Sequence, residues 1–231
     1  MQDFSGILLT ALQLIIELQP DLVEIVLLSL KVTLTAVIIS TIISIPVGTL
    51  LGCYRFPGRD LMTGILNAFM GLPPVVVGLA LYLVLSRSGP LGDLNLLFTS
   101  TAMIIAQCIL ITPIISSLTQ QTIEDYHRAH QEQFKALGAP TCLTLIPMIR
   151  DARTSLYTAV LAGFGRASAE VGAVLIVGGN INHVTRVMTT TIALETSKGN
   201  LELAMALGII LLSISFTITS LMIVLRKSQS V

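Results

Sequence analysis

The stretch VEIVLLSLKVTLTAVIISTIISIPVGTLL, from Val23 to Leu51, contains only two charged residues, Glu24 and Lys31. About 20 apolar residues in a helix cross the hydrocarbon core of a bilayer, so this stretch is long enough to span it. Other apolar runs that approach or exceed this length are Gly64 to Leu85, Thr101 to Leu118, Ser155 to Val177 and Leu203 to Leu225. The sequence therefore predicts an all-α polytopic membrane protein with five transmembrane helices.

The composition favours lipid over water as the solvent. Of the 231 residues, 53% are hydrophobic and 11% are charged, whereas a soluble domain carries about 25% charged residues. The net charge is zero and there is no tryptophan or basic tract, so nucleic acid is not expected as a partner. Cys53, Cys108 and Cys142 have no disulfide or metal-site spacing, and no metal is predicted.

The segment Ile7 to Leu18 is apolar but too short to cross a bilayer. It predicts an N-terminal helix lying at the membrane interface. The alternative is a loosely ordered tail. No basic residue precedes the segment, which argues against a cleaved signal peptide.

Lysine and arginine predict the orientation, because they favour the cytoplasmic side of a membrane. An outside N-terminus and a cytoplasmic C-terminus place three basic residues outside and eight in the cytoplasm. The outer three are Arg87, Arg186 and Lys198; the cytoplasmic eight are Arg55, Arg59, Arg128, Lys135, Arg150, Arg153, Arg226 and Lys227. The opposite orientation would invert this bias.

Prolines and buried charges mark special positions within the spans. Pro46, the pair Pro73–Pro74 and Pro113 predict breaks in three successive helices, since each proline removes a backbone donor. We expect Pro73 and Pro74 to form a kink that faces the interior of the helix bundle. They are candidates for a solute pathway, and the alternative is that they only shape packing.

Arg166 and Glu170 lie four residues apart in the fourth predicted span. This spacing puts them on one helical face, a turn apart, where they can pair. Charges at membrane depth normally face a bundle interior or water, so both are candidate pathway or core residues. They either contact a solute or form an ion pair that fixes helix packing.

The outer segment Gly178 to Asn200 is rich in hydrogen-bond donors. Asn180, Thr185 and Arg186, together with glycine amides, suit a tetrahedral oxyanion. The alternative is an ordinary loop or a docking surface.

The sequence contains no catalytic set. Within the spans we find no nucleophile with an activating base and no paired aspartates, and the chain has no glycine-rich phosphate loop followed by Lys-Ser or Lys-Thr. We therefore expect a non-enzymatic protein without a cofactor of its own. Any nucleotide energy must come from another subunit.

Between Tyr126 and Thr144 the chain reads Glu132-Gln133-Phe134-Lys135-Ala136-Leu137-Gly138, a predicted short helix followed by a glycine turn. It resembles the coupling element of ABC importer permeases, with Gln133 and Phe134 in place of alanines. The resemblance implies docking into a groove of an ATP-binding subunit. The residues that it assigns to this contact are Glu132, Lys135, Ala136, Leu137 and Gly138.

Further motifs extend the resemblance over residues 22–226, within a single permease domain of residues 1–231. Pro73 to Gly78 and Ser88 to Gly92 resemble molybdate, tungstate and sulfate permeases, while Val177 to Ile181, Thr185 to Thr190 and Leu194 to Gly199 are most similar to the tungstate type. The resemblance implies a homodimer in the inner membrane, two ATP-binding subunits that hold ATP and Mg, and an external solute-binding protein. The alternatives are a molybdate or sulfate permease, or an ATP-independent channel or secondary transporter.

Overall fold

The computed structural model describes residues 4–17, 19–136 and 141–228. Ten α-helices lie in these ranges, with a 3₁₀ turn at Gly92–Leu94 between the fourth and the fifth. The helices are α1 (Phe4–Ile16), α2 (Pro20–Cys53), α3 (Arg59–Met70), α4 (Pro74–Leu85), α5 (Ser100–Ala136), α6 (Thr141–Asp151), α7 (Arg153–Ser168), α8 (Gly172–Gly178), α9 (Met188–Lys198) and α10 (Leu201–Ser228). The all-α prediction is confirmed.

The predicted spans correspond to three continuous helices and two interrupted pairs. Helices α2, α5 and α10 are each long and apolar enough to cross a membrane. The pairs α3 with α4 and α7 with α8 also qualify, although each is bent at a short break. Counting each pair as one span gives the five that the sequence predicts.

Prolines interrupt a helix at one of the three predicted places. The last turn of α3 closes on Gly71, and α4 begins at Pro74, where a missing N–H leaves no bond unmade. Pro46 and Pro113 instead lie inside α2 and α5. The predicted breaks at these two positions are wrong, because a long apolar helix keeps its bonds on both sides of one missing donor.

The chain divides into two compact units. The first comprises Met1–Ala36, Pro73–Gln107 and Ser168–Ser220. Helix α1 belongs to it and turns the fully buried Ala11 toward a cluster on α2, α9 and α10, formed by Leu22, Ile25, Met188, Ala206 and Leu207. The N-terminal segment is therefore a packed helix rather than a loose tail, and its place at the membrane interface stays a prediction.

The second unit comprises Val37–Leu72, Cys108–Ala167 and Leu221–Val231. In it α2 and α5 approach closely at Gly48, where an added Cβ would lie 2.6 Å from the Ser116 carbonyl oxygen. Close approach at small residues is typical of helix pairs in membranes. Further along, Cys53 of α2 and Ile123 of α5 pack with α6 and the start of α7 in a cluster of buried apolar residues, completed by Met148, Ala152 and Leu156.

Candidate functional site

The segment predicted to couple to an ATPase is the carboxyl end of α5. It is helical through Ala136, as the end of a helix that begins at Ser100 rather than as a separate short helix. Glu132 and Gln133 are exposed there. The side chains of Lys135 and Ala136, and the whole of Leu137 and Gly138, lie outside the described residues.

The polar side of α5 is attached to the end of α6. The Tyr126 hydroxyl donates to Asp151 Oδ2 at 2.7 Å, and the Tyr126 ring stacks on His130 with centroids 4.1 Å apart. Cys53 Sγ also lies 3.8 Å from Met148 Sδ, within the apolar cluster of the second unit described above. The chain leaving the coupling segment is thus packed back onto the helix that enters it.

Pro73 and Pro74 position a close contact between α4 and α8. Pro73 precedes α4 in an extended conformation and Pro74 begins it. The next turn brings Gly78 so near α8 that an added Cβ would lie 2.8 Å from Ala173 Cα. The proline pair therefore fixes where α4 starts against α8, and a role in a solute pathway stays a prediction.

Glu170 lies in the break between α7 and α8 and is 3% exposed. Its Oε1 accepts a hydrogen bond from the Ala173 amide at 3.0 Å, which satisfies a free donor at the start of α8. Its backbone carbonyl accepts from the Thr189 hydroxyl at 2.8 Å. Glu170 therefore caps α8 and helps to hold α9.

The prediction that Arg166 and Glu170 share one helical face is wrong, because α7 ends at Ser168. Arg166 lies in the last turn of α7, whereas Glu170 follows the end of that helix. Glycine at 172 permits α8 to restart close to α4, since an added Cβ there would lie 2.9 Å from a Val75 methyl carbon. Because the chain leaves the helix between the two residues, their four-residue spacing does not correspond to one helix turn.

Most donors of the outer segment are used internally. The Thr185 hydroxyl, 1% exposed, donates to the Gly178 carbonyl at 2.5 Å and accepts from the Ile181 amide at 3.0 Å. Asn180 accepts from the Thr190 hydroxyl at 2.9 Å. These bonds hold the turn between α8 and α9, so Asn180 and Thr185 stabilise a loop whatever else they do.

Arg186 differs from its neighbours. Its Nε is buried and has no hydrogen-bond partner within the described part of the chain. Its charge lies close enough to Glu195 to help lower the pKa of that carboxyl, after the larger effects of hydrogen bonds from Lys198 at 2.8 Å and Asn200 at 3.1 Å. Of the candidates in the outer segment, Arg186 keeps an unused donor.

Two charged pairs were missed by sequence reasoning. His183, at φ 59°, contacts Glu24 of α2 with 2.7 Å between Nδ1 and Oε2, and this bond raises the pKa of His183. Arg59 contacts Glu124 of α5. The partners are separated by 159 and 65 residues, so no local spacing could have indicated them.

This chain is similar to known transport proteins over most of its length. Residues 44–229 match the family described as binding-protein-dependent transport system inner membrane component. The tungstate uptake system permease protein of Peptoclostridium acidaminophilum is 41% identical over 217 residues, 94% of this chain and 95% of that protein. A probable anion ABC transporter permease protein of Haloferax volcanii is 42% identical over 206 residues, 87% and 88% of the two chains.

A tungstate uptake system permease protein of Campylobacter jejuni is 38% identical over 163 residues, 71% of this chain and 68% of that protein. These similarities and the family match cover most of the helices described above. The chain therefore belongs to the binding-protein-dependent inner membrane components, the permease subunits of ABC importers.

Proposed function

We propose that this chain imports tungstate as the permease subunit of a complex with two ATP-binding subunits and an external solute-binding protein. The choice of tungstate as the cargo rests on the similarity, over 94% of the chain, to a tungstate uptake permease. The permease is a homodimer with its N-terminus outside, and ATP and Mg are held by the partner subunits.

The carboxyl end of α5 supports a coupling role. Helix α5 continues without interruption from an apolar span to the exposed Glu132. A continuous helix transmits a displacement at its end along its whole length. When the ATP-binding subunits close, residues Glu132 to Gly138 move with them and the pathway alternates between outward and inward openings.

The pathway must bind its anion weakly enough to release it, so most of the selectivity lies in the solute-binding protein. Arg186 is the proposed anion contact at the outer end, because its buried Nε has no hydrogen-bond partner among the residues that the structure describes. Pro73 and Pro74 shape the start of α4, while Arg166 and Glu170 are core residues. Asn180 and Thr185 hold the outer loop.

Transport by the reconstituted complex tests this proposal. The chain is placed in vesicles with its ATP-binding subunit, its solute-binding protein is added outside, and trapped tungsten, molybdenum and sulfur are measured with and without internal ATP. We expect ATP-dependent tungstate uptake at low external concentration. A matched complex whose ATP-binding subunit cannot hydrolyse ATP is the control.

Other outcomes identify the alternatives. ATP-dependent uptake of molybdate or sulfate in preference to tungstate would keep the importer and change its cargo. Uptake that persists equally without ATP would mean a channel or secondary transporter and would refute the proposal.

A further inference from the structure

Arg59 joins the end of α2 to the start of α3. Its Nε donates to the Leu51 carbonyl at 2.7 Å, one of the last carbonyls of α2, which have no partner within the helix. Arg59 is also the first residue of α3. A single side chain therefore closes the end of one helix while it is fixed to the beginning of the next.

The other end of the Arg59 guanidinium contacts α5. Its Nη2 lies 2.5 Å from Glu124 Oε2, and that carboxylate also accepts from Gln120 at 2.6 Å and from Arg128. The side chains of Arg59 and Glu124 are 14% and 17% exposed. A pair so withdrawn from water is costly to break, because either charge alone would be left poorly solvated.

Two more contacts lie along the same helices. Gly52 of α2 is so close to α5 that an added Cβ would lie 2.9 Å from the Gln120 carbonyl oxygen. The Ser117 hydroxyl of α5 donates to Asn67 Oδ1 of α3 at 2.5 Å. Helices α2 and α3 are thus both held against α5, and Arg59, at the start of α3, contacts both α2 and α5.

Glu124 and the coupling segment lie on one continuous helix. At about 1.5 Å per residue, Lys135 is about 16 Å beyond Glu124 along α5. We infer that Arg59 is a positioning residue, which makes the ends of α2 and α3 follow the carboxyl end of α5 when the ATP-binding subunit moves it. This inference rests on the proposed function, since that subunit supplies the movement.

The test removes each half of the pair in the assembled complex. In Arg59→Met and Glu124→Gln we expect the oxyanion transported per ATP hydrolysed to fall about tenfold, within the usual range of coupling effects, while ATP hydrolysis continues. Because both changes break one link, the double variant should be no worse than the more damaging single variant. Arg55→Met, four residues earlier and exposed, is the control and should couple normally.

The inference would be overturned if Arg59→Met left the oxyanion transported per ATP hydrolysed unchanged. It would also be overturned if Arg55→Met lowered this ratio equally, or if the losses of the two single variants added up in the double variant. A readout that needs no transport is the distance between spin labels at Asp60→Cys and Asp125→Cys, both exposed, with the native cysteines replaced. We expect a narrow distribution that broadens in Arg59→Met, and an unchanged distribution would also overturn the inference. A wild-type complex that transports no oxyanion refutes the proposed function, and the label distances still decide whether Arg59 links the helices.

Discussion

Replacing Gly48 by alanine should force α2 and α5 apart at their closest approach. The added Cβ would lie 2.6 Å from the Ser116 carbonyl oxygen and 2.6 Å from Thr119 Cβ, whereas ordinary contact begins at 3.4 Å. One helix must therefore retreat by about 0.8 Å. Both obstructing atoms are attached directly to the α5 backbone, so no flexible side-chain end can move aside.

Overpacking of a closely packed interior costs about 1–3 kcal/mol, and a backbone obstacle places Gly48→Ala near the upper end. Without such a clash, replacing glycine by alanine within a helix stabilises it by about 0.5–1 kcal/mol. A second glycine-to-alanine variant serves as the control for this effect. Gly208 lies inside α10, and an added Cβ there meets no described atom within 4 Å. We expect Gly208→Ala to be neutral or slightly stabilising.

The chain has no tryptophan, so thermal unfolding is best followed with a thiol-reactive fluorogenic dye. Cys53 is buried and Cys108 partly buried, and both become reactive on unfolding. A loss of about 3 kcal/mol should lower Tm by roughly 6–12 °C on the scale of soluble domains of this size. A Gly48→Ala protein that melts at or above the wild-type temperature would refute the close approach of α2 and α5.

Three further predictions concern individual contacts. The hydrogen bond from Lys198 holds the pKa of Glu195 below its usual value, so the stability that this bond gives is present at neutral pH and is lost as pH falls through the folded-state pKa. The Lys198→Met variant should therefore begin to unfold in acid at a higher pH than the wild type. An unchanged acid transition would contradict this. The bond to Glu24 raises the pKa of His183, so the pair stabilises the fold below the unfolded-state pKa and ceases to do so as pH rises through the folded-state pKa. The Glu24→Gln variant should lower the pKa that NMR measures for His183. The pKa values of the other two histidines should not change. The Glu170→Ala variant removes the acceptor for the Ala173 amide and should destabilise the start of α8 by about 1 kcal/mol, as for other lost caps. Glu170→Gln keeps an acceptor and is the control. Faster hydrogen exchange at the Ala173 amide in the alanine variant alone would support the cap.

The sequence was sufficient for the elements that depend on local properties. The length and apolarity of residues 23–51 predict a spanning helix because a bilayer selects on those two quantities alone. The importer family was likewise indicated by short motifs such as Pro73 to Gly78. Local spacing failed between Arg166 and Glu170, where it assumed a helix that ends at Ser168.

By itself, then, the sequence determined an all-α membrane permease and the approximate position of each span. Only the tertiary structure decided that Pro113 lies within α5, that the Thr185 hydroxyl donates a hydrogen bond to the Gly178 carbonyl, and that Arg59 forms an ion pair with Glu124. Apolarity acts on each segment separately, because every span faces the same lipid. Hydrogen bonds and ion pairs depend on which distant residue lies within about 3 Å, and that is known only after the helices have packed.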